Sequence, residues 1–62
     1  MHPLEEEIQE ITEEFKSGSI TLEQRNWLLS EIRDVRAAQE CADNETAFRY
    51  VVVACNIAMA II

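Results

Sequence analysis

The sequence predicts an all-α fold: an antiparallel helical hairpin plus a C-terminal apolar helix, packed as an oligomeric helix bundle. Three observations carry that expectation. Apolar residues recur at three- and four-residue steps in each of three segments, helix-stop and helix-start chemistry separates those segments, and the last one is apolar almost all round. The expected helices cover 3–17, 21–42 and 44–61 of one domain spanning residues 1–62.

In the first segment Leu4, Ile8, Ile11 and Phe15 step by four, three and four, which makes one narrow stripe on a helix with polar residues between. Pro3 suits the first turn, where a missing N–H costs nothing, and Glu5, Glu6 and Glu7 sit where the helix dipole favours negative charge. Lys16 suits the last turn. Gly18, in Ser17-Gly18-Ser19, can take the left-handed conformation that ends a helix.

Thr21-Leu22-Glu23-Gln24 matches the capping box, in which the Thr21 hydroxyl and the Gln24 side chain each satisfy an orphan backbone N–H. Beyond it Leu22, Leu28, Leu29, Ile32 and Val35 fall in one broad arc, while Arg25, Asn26, Arg33 and Arg36 lie mostly outside it or at its border. The connection is short, so the two helices are expected to pack antiparallel, with Leu4, Ile8, Ile11, Phe15, Leu28, Ile32 and Val35 between them. Trp27 projects from the flank of the stripe, either to cover the hairpin turn or to anchor an interface.

The run from Phe15 to Gln24, followed by Leu28-Leu29, resembles the short helical-hairpin pattern of SHOCT-type domains over residues 11–30. That resemblance implies a module acting in oligomerisation. SHOCT modules usually end larger proteins, whereas this hairpin is followed by an apolar third segment. Compact acidic helical chains of this kind also look like the small accessory and virion proteins of tailed bacteriophages.

Between Glu40 and Thr46 the apolar repeat is lost, and Asp43 or Asn44 could cap a new helix. No Gly or Pro forces a break there, so one long bent helix is the alternative to the expected break near Asp43. Tyr50-Val51-Val52-Val53 has high β propensity, yet Phe48, Val52, Cys55, Met59 and Ile62 step by four, three, four and three, and Ala54, Ala58 and Ala60 favour helix. Helix is expected. Val51, Ala54, Ala58 and Ile61 form a second row and Val53, Ile57 and Ala60 a third, so a hairpin with one groove covers only about half of this helix.

A chain of about 60 residues buries only roughly 60% of its unfolded surface, so an uncovered apolar face weighs heavily. Covering it with a symmetric partner is the direct solution. The expected interface is Trp27, Phe48, Val51, Val52, Cys55, Ala58, Met59 and Ile62. Asn56 would either pair with its symmetry mate and fix register or hydrogen-bond nearby backbone or water. Spanning a membrane needs roughly 20 apolar residues, and the uncharged run from Tyr50 to Ile62 has 13. A membrane-surface role remains as an alternative, opposed by the acidic remainder of the chain.

Charge is distributed unevenly. Residues 1–16 carry six glutamates and one lysine, whereas residues 47–62 carry Arg49 alone. The net charge of −7 argues against direct binding of nucleic acid, whose phosphates need Lys and Arg. An acidic face over Glu5 to Glu14 is in the first place a solvated face, and in the alternative it would meet a basic partner as a regulatory module.

Chemistry finds little support. Glu6, Glu10 and Glu13, or Glu7, Glu10 and Glu14, line up along helix faces, but a di-metal bundle site also needs Glu-x-x-His, and the sole histidine, His2, lies outside that spacing. Cys41 and Cys55 form no CxxC motif and no zinc set, and read as small buried hydrophobes. Neither has a base beside it, and one glycine cannot build a phosphate-cradling loop. No enzyme, metal or cofactor is expected. Met1 is followed by an acidic segment and no signal-like core, so a cytoplasmic location, or a virion for a phage protein, is expected. The function expected is therefore structural, exercised on itself as a homo-oligomer or as a small subunit of a larger protein assembly.

Overall fold

The computed structural model describes residues 3–61, and those residues are helical apart from two short connections. Helix α1 (Pro3–Lys16) opens with Glu5 and Glu6 in its first turn and closes with Lys16 in its last. Its end is sealed by the glycine turn: Gly18 has φ +82°, the Ser19 N–H donates to Glu14 O at 2.9 Å, and the Gly18 N–H donates to Phe15 O at 3.1 Å. These two bonds define a Schellman motif, and they satisfy carbonyls that the helix itself leaves open.

Helix α2 (Leu22–Glu31) starts at the capping box read from the sequence. The Gln24 N–H donates to Thr21 Oγ1 at 3.1 Å and the Thr21 N–H to Gln24 Oε1 at 2.8 Å. The rod then continues through a π-helical turn (Ile32–Arg36) into α3 (Ala37–Glu40). Its buried residues are Arg25, Leu29, Ile32, Ala37 and Cys41. The step of five from Ile32 to Ala37 is the signature of the π turn, in which the Ala37 N–H reaches back to Ile32 O.

That extra residue corrects one expectation. Val35, read as a core residue from a regular helical wheel, is exposed, because the wider turn hands its place in the core to Ala37. Leu22 is likewise exposed, at the mouth of the rod.

The rod ends at Cys41, and Asn44 caps helix α4 (Glu45–Ala60), its side-chain oxygen accepting from the Ala47 N–H at 3.0 Å. The helices expected over 21–42 and 44–61 are thus separate, and Tyr50–Val53 is helical. The α4 helix packs against α1, α2, α3 and the π turn. The core comprises Leu4 and Ile8 from α1, Leu29, Ile32, Ala37 and Cys41 from the second rod, and Val51, Cys55 and Ala58 from α4. Two long-range contacts tie α1 to the second rod: the Arg36 guanidinium lies 3.1 Å from a Glu7 carboxylate oxygen, and the Arg25 guanidinium sits over the Phe15 ring. Among the described residues no helix is long and apolar enough to cross a membrane.

Candidate protein-interaction surfaces

The outward face of α4 is set by how its inward face is used. Val51, Cys55 and Ala58 step by four and three into the core, with Phe48, Val52, Ala54 and Met59 half-buried beside them. One face around the helix, Tyr50, Val53, Ile57 and Ile61 step by three, four and four and remain exposed, Ile57 at 60%. All four are large and mainly apolar, and each keeps about half of its surface exposed. The flanking cation, Arg49, is held by Glu45 at 2.9 Å one turn back.

This arrangement revises the expected interface. Val51, Cys55 and Ala58 are buried inside the chain's own core, so they are not available at its surface. Phe48, Val52 and Met59 are half-buried against the same core, and Ile62 lies outside the described residues. Within the described part of the heptad row Cys55 is taken up by intramolecular packing and Phe48, Val52 and Met59 are partly so, while the most exposed apolar side chains of α4 sit on the neighbouring face. Trp27 is exposed at 63% and lines a groove together with Ile20 of the hairpin turn. Asn56 has a partner within the chain: its Oδ1 accepts from Arg33 Nη1 at 3.0 Å.

What fixes the end of α4 is Arg25, which sequence reasoning placed outside the apolar arc and which is 1% exposed. Its Nη2 donates to Met59 O at 2.9 Å and its Nη1 to Ile61 O. Nε and Nη2 also donate to Asn26 Oδ1, at 3.0 and 2.9 Å, and the guanidinium carbon lies 4.4 Å from the Phe15 ring centroid. A cation here meets the negative end of the α4 dipole and satisfies terminal carbonyls while its flat face rests on an aromatic ring. The signal was present as register: Arg25, Leu29 and Ile32 step by four and three.

The second surface surrounds Trp27. An open groove of about 530 Å³ runs from Trp27 past Leu28 to Ile20, edged by Glu23 and Gln24. A second, of about 400 Å³, lies between α1 and the second rod, floored by Ile11, Leu28 and Ile32 and edged by Glu7, Glu10, Glu14 and Glu31. A third, of about 260 Å³, continues from Trp27 past Ser30 to Val35.

Side chains that carry chemistry are occupied otherwise. Cys41 and Cys55 are buried thiols, and burial pushes the Cys55 thiol up to about 11, against the smaller opposing pull of Arg33. A thiol so placed stays protonated at neutral pH and is a poor nucleophile. Hydrogen bonding to the Asp34 carboxylate raises Arg33, and the same bond lowers Asp34. Among the described residues no group of three or more His, Cys, Asp or Glu is placed to hold a metal ion, and His2 lies outside them.

The fold and its surfaces thus define a small all-α protein. Compared with protein-family models, with curated proteins and with solved structures, the chain finds no match.

Proposed function

We propose that this chain is a non-enzymatic structural or assembly protein that acts by helix-mediated homo-oligomerisation, its α4 helices packing face to face. The observation that carries this reading is the row of exposed apolar side chains Tyr50, Val53, Ile57 and Ile61 on one face of one helix. Scattered exposed apolar residues mean nothing, but a contiguous row is the mark of an interaction surface. The Arg36–Glu7 and Arg25–Phe15 contacts support an antiparallel arrangement of α1 and the second rod, against which α4 packs.

The magnitudes permit association. Burying a few hundred Å² on each of two chains contributes on the order of 10–20 kcal/mol gross at about 25 cal/mol per Å². Lost translational and rotational freedom offsets roughly 4–15 kcal/mol of that. A dimer stable at micromolar concentration needs a surplus of about 8 kcal/mol, which lies within the range these two terms span. Ala54 and Ala60, small residues beside the row, let two helices approach closely. The resemblance of residues 11–30 to SHOCT-type hairpins points the same way.

Sedimentation of the wild type and of Ile57→Asp tests this. A dimer or higher oligomer at about 50 μM is expected for the wild type, and a folded monomer for Ile57→Asp. Because Ile57 is exposed, the substitution spares the core. A helical, monomeric wild type at that concentration would sink the proposal, as would an Ile57→Asp variant that assembles unchanged.

A further inference from the structure

We propose that the Trp27 groove is a docking site for a basic amphipathic helix of a protein partner, separate from the α4 face through which the chain meets itself. Trp27, the sole tryptophan, is the largest exposed apolar side chain and is 63% accessible. Three grooves share it, so it stands at the middle of a track on which Ile20, Leu28, Trp27 and Val35 are the apolar points and Ser30, Glu31 and Asp34 line the stretch between Trp27 and Val35. At 1.5 Å per residue that track is roughly 20 Å long, about four turns of a docked helix.

The π turn supplies an independent argument. A regular helix would hold Val35 near the core, but the five-residue step from Ile32 to Ala37 turns it outward, where it extends the track beyond Trp27. Such turns are rare and occur frequently at functional sites. The irregularity places the small Ala37 in the core and leaves the larger Val35 on this surface.

Charge selects the occupant. Glu10, Glu14 and Glu31 edge the groove between α1 and the second rod, Glu23 edges the one toward Ile20, and none of the four is in an ion pair among the described residues. The nearest cation, Arg36, is already held by Glu7 and by Glu40 at 2.7 Å. The rim is therefore acidic, and cationic side chains flanking an apolar strip are its complement. A second copy of this chain does not fit, since it carries a net charge of −7 and its own apolar helix offers only Arg49. Nucleic acid is repelled for the same reason.

The probe is a 16-residue Leu/Lys peptide designed as an amphipathic helix, with a Leu/Glu peptide of the same pattern as its control. Emission from Trp27 reads binding directly, and anisotropy of a labelled peptide reads it in Trp27→Ala. Expected are a blue shift with micromolar affinity, at least tenfold weakening in Trp27→Ala and in Glu10→Gln/Glu14→Gln/Glu31→Gln, and comparable weakening between 50 and 300 mM salt. Ile57→Asp should bind within twofold of wild type, which separates this site from the α4 face. Equal binding of the Leu/Glu peptide, or full affinity in the Trp27 and glutamine variants, overturns the proposal. So does a peptide affinity lost in Ile57→Asp, or a blue shift that grows with protein concentration alone, since the groove would then belong to a second copy.

Discussion

Arg25 is the residue on which the most elements converge. It links the end of α1 through Phe15, the start of α2 through Asn26 and the end of α4 through two carbonyls, all at 1% exposure. Replacing it with Met keeps much of the volume and removes every donor, leaving the Met59 and Ile61 carbonyls and the Asn26 amide oxygen without them. Arg25→Met should therefore cost about 3 kcal/mol in urea denaturation followed by circular dichroism. Arg25→Lys should recover less than half of that loss, because a single ammonium cannot reproduce the planar fork that serves two carbonyls and an amide together. Full recovery by lysine would mean that charge alone, and not fork geometry, holds the end of α4.

Cys55 makes a second prediction at the same scale. Its thiol is raised from 9.0 to about 11 in the folded chain, chiefly by burial. Folding thus favours the protonated form, and its contribution is complete below pH 9. As pH rises from about 9 to about 11 the unfolded chain ionises first, so stability falls, by at most about 1.4 kcal/mol per pH unit. Cys55→Ala should flatten that alkaline slope. Its overall stability will be lower at neutral pH because the substitution leaves a small cavity, so the slope and not the midpoint is the discriminating quantity.

At the scale of elements, the π turn is the feature that a regular wheel misses. The buried sequence Arg25, Leu29, Ile32, Ala37, Cys41 steps by four, three, five and four, and only the five departs from an α-helix. Deleting Asp34 shortens that step to four, so Ala37 and Cys41 keep their places in the core on an ordinary helix. The deletion should change stability by less than about 1 kcal/mol. Deleting Ser30 instead shortens the regular step between Leu29 and Ile32, turns one of them out of the core and should cost about 2–5 kcal/mol, the range for losing a buried aliphatic side chain. Thermal melts of the two deletions give the comparison, and equal losses would show that the π turn is not where the register is set.

Those steps also explain what was legible in advance. Local chemistry was: the capping box at Thr21, the glycine stop at Gly18 and the cap at Asn44 each depend on a few adjacent residues, and each lies within reach of a sequence reading. The face of α4 that turns inward was not, because three neighbouring rows are all apolar and nothing local ranks them. Only packing against α1 and the second rod decides that Val51, Cys55 and Ala58 go in and that Val53 and Ile57 stay out. Arg25 was missed for a related reason, since a cation is excluded from an apolar arc until the carbonyls that would receive it are known to lie opposite.

The whole molecule measures 35 × 19 × 16 Å and presents two unlike surfaces, a bare apolar row on α4 and an acid-rimmed groove around Trp27. They should respond differently to solution conditions. Apolar association through α4 involves a helix whose outward face carries little charge, so added salt should leave it intact or strengthen it by screening a net charge of −7. Binding of a basic helix at Trp27 should weaken with salt. Association must also appear in stability, because a dimer that forms only from folded chains draws the unfolding equilibrium toward the folded state as protein concentration rises. A hundredfold increase in concentration, from about 1 to 100 μM, should raise the melting temperature by roughly 5–10 °C for a domain this small. Ile57→Asp should melt at one temperature across that range while retaining a helical spectrum. A wild-type melting temperature independent of concentration would leave α4's exposed row without a partner of its own kind.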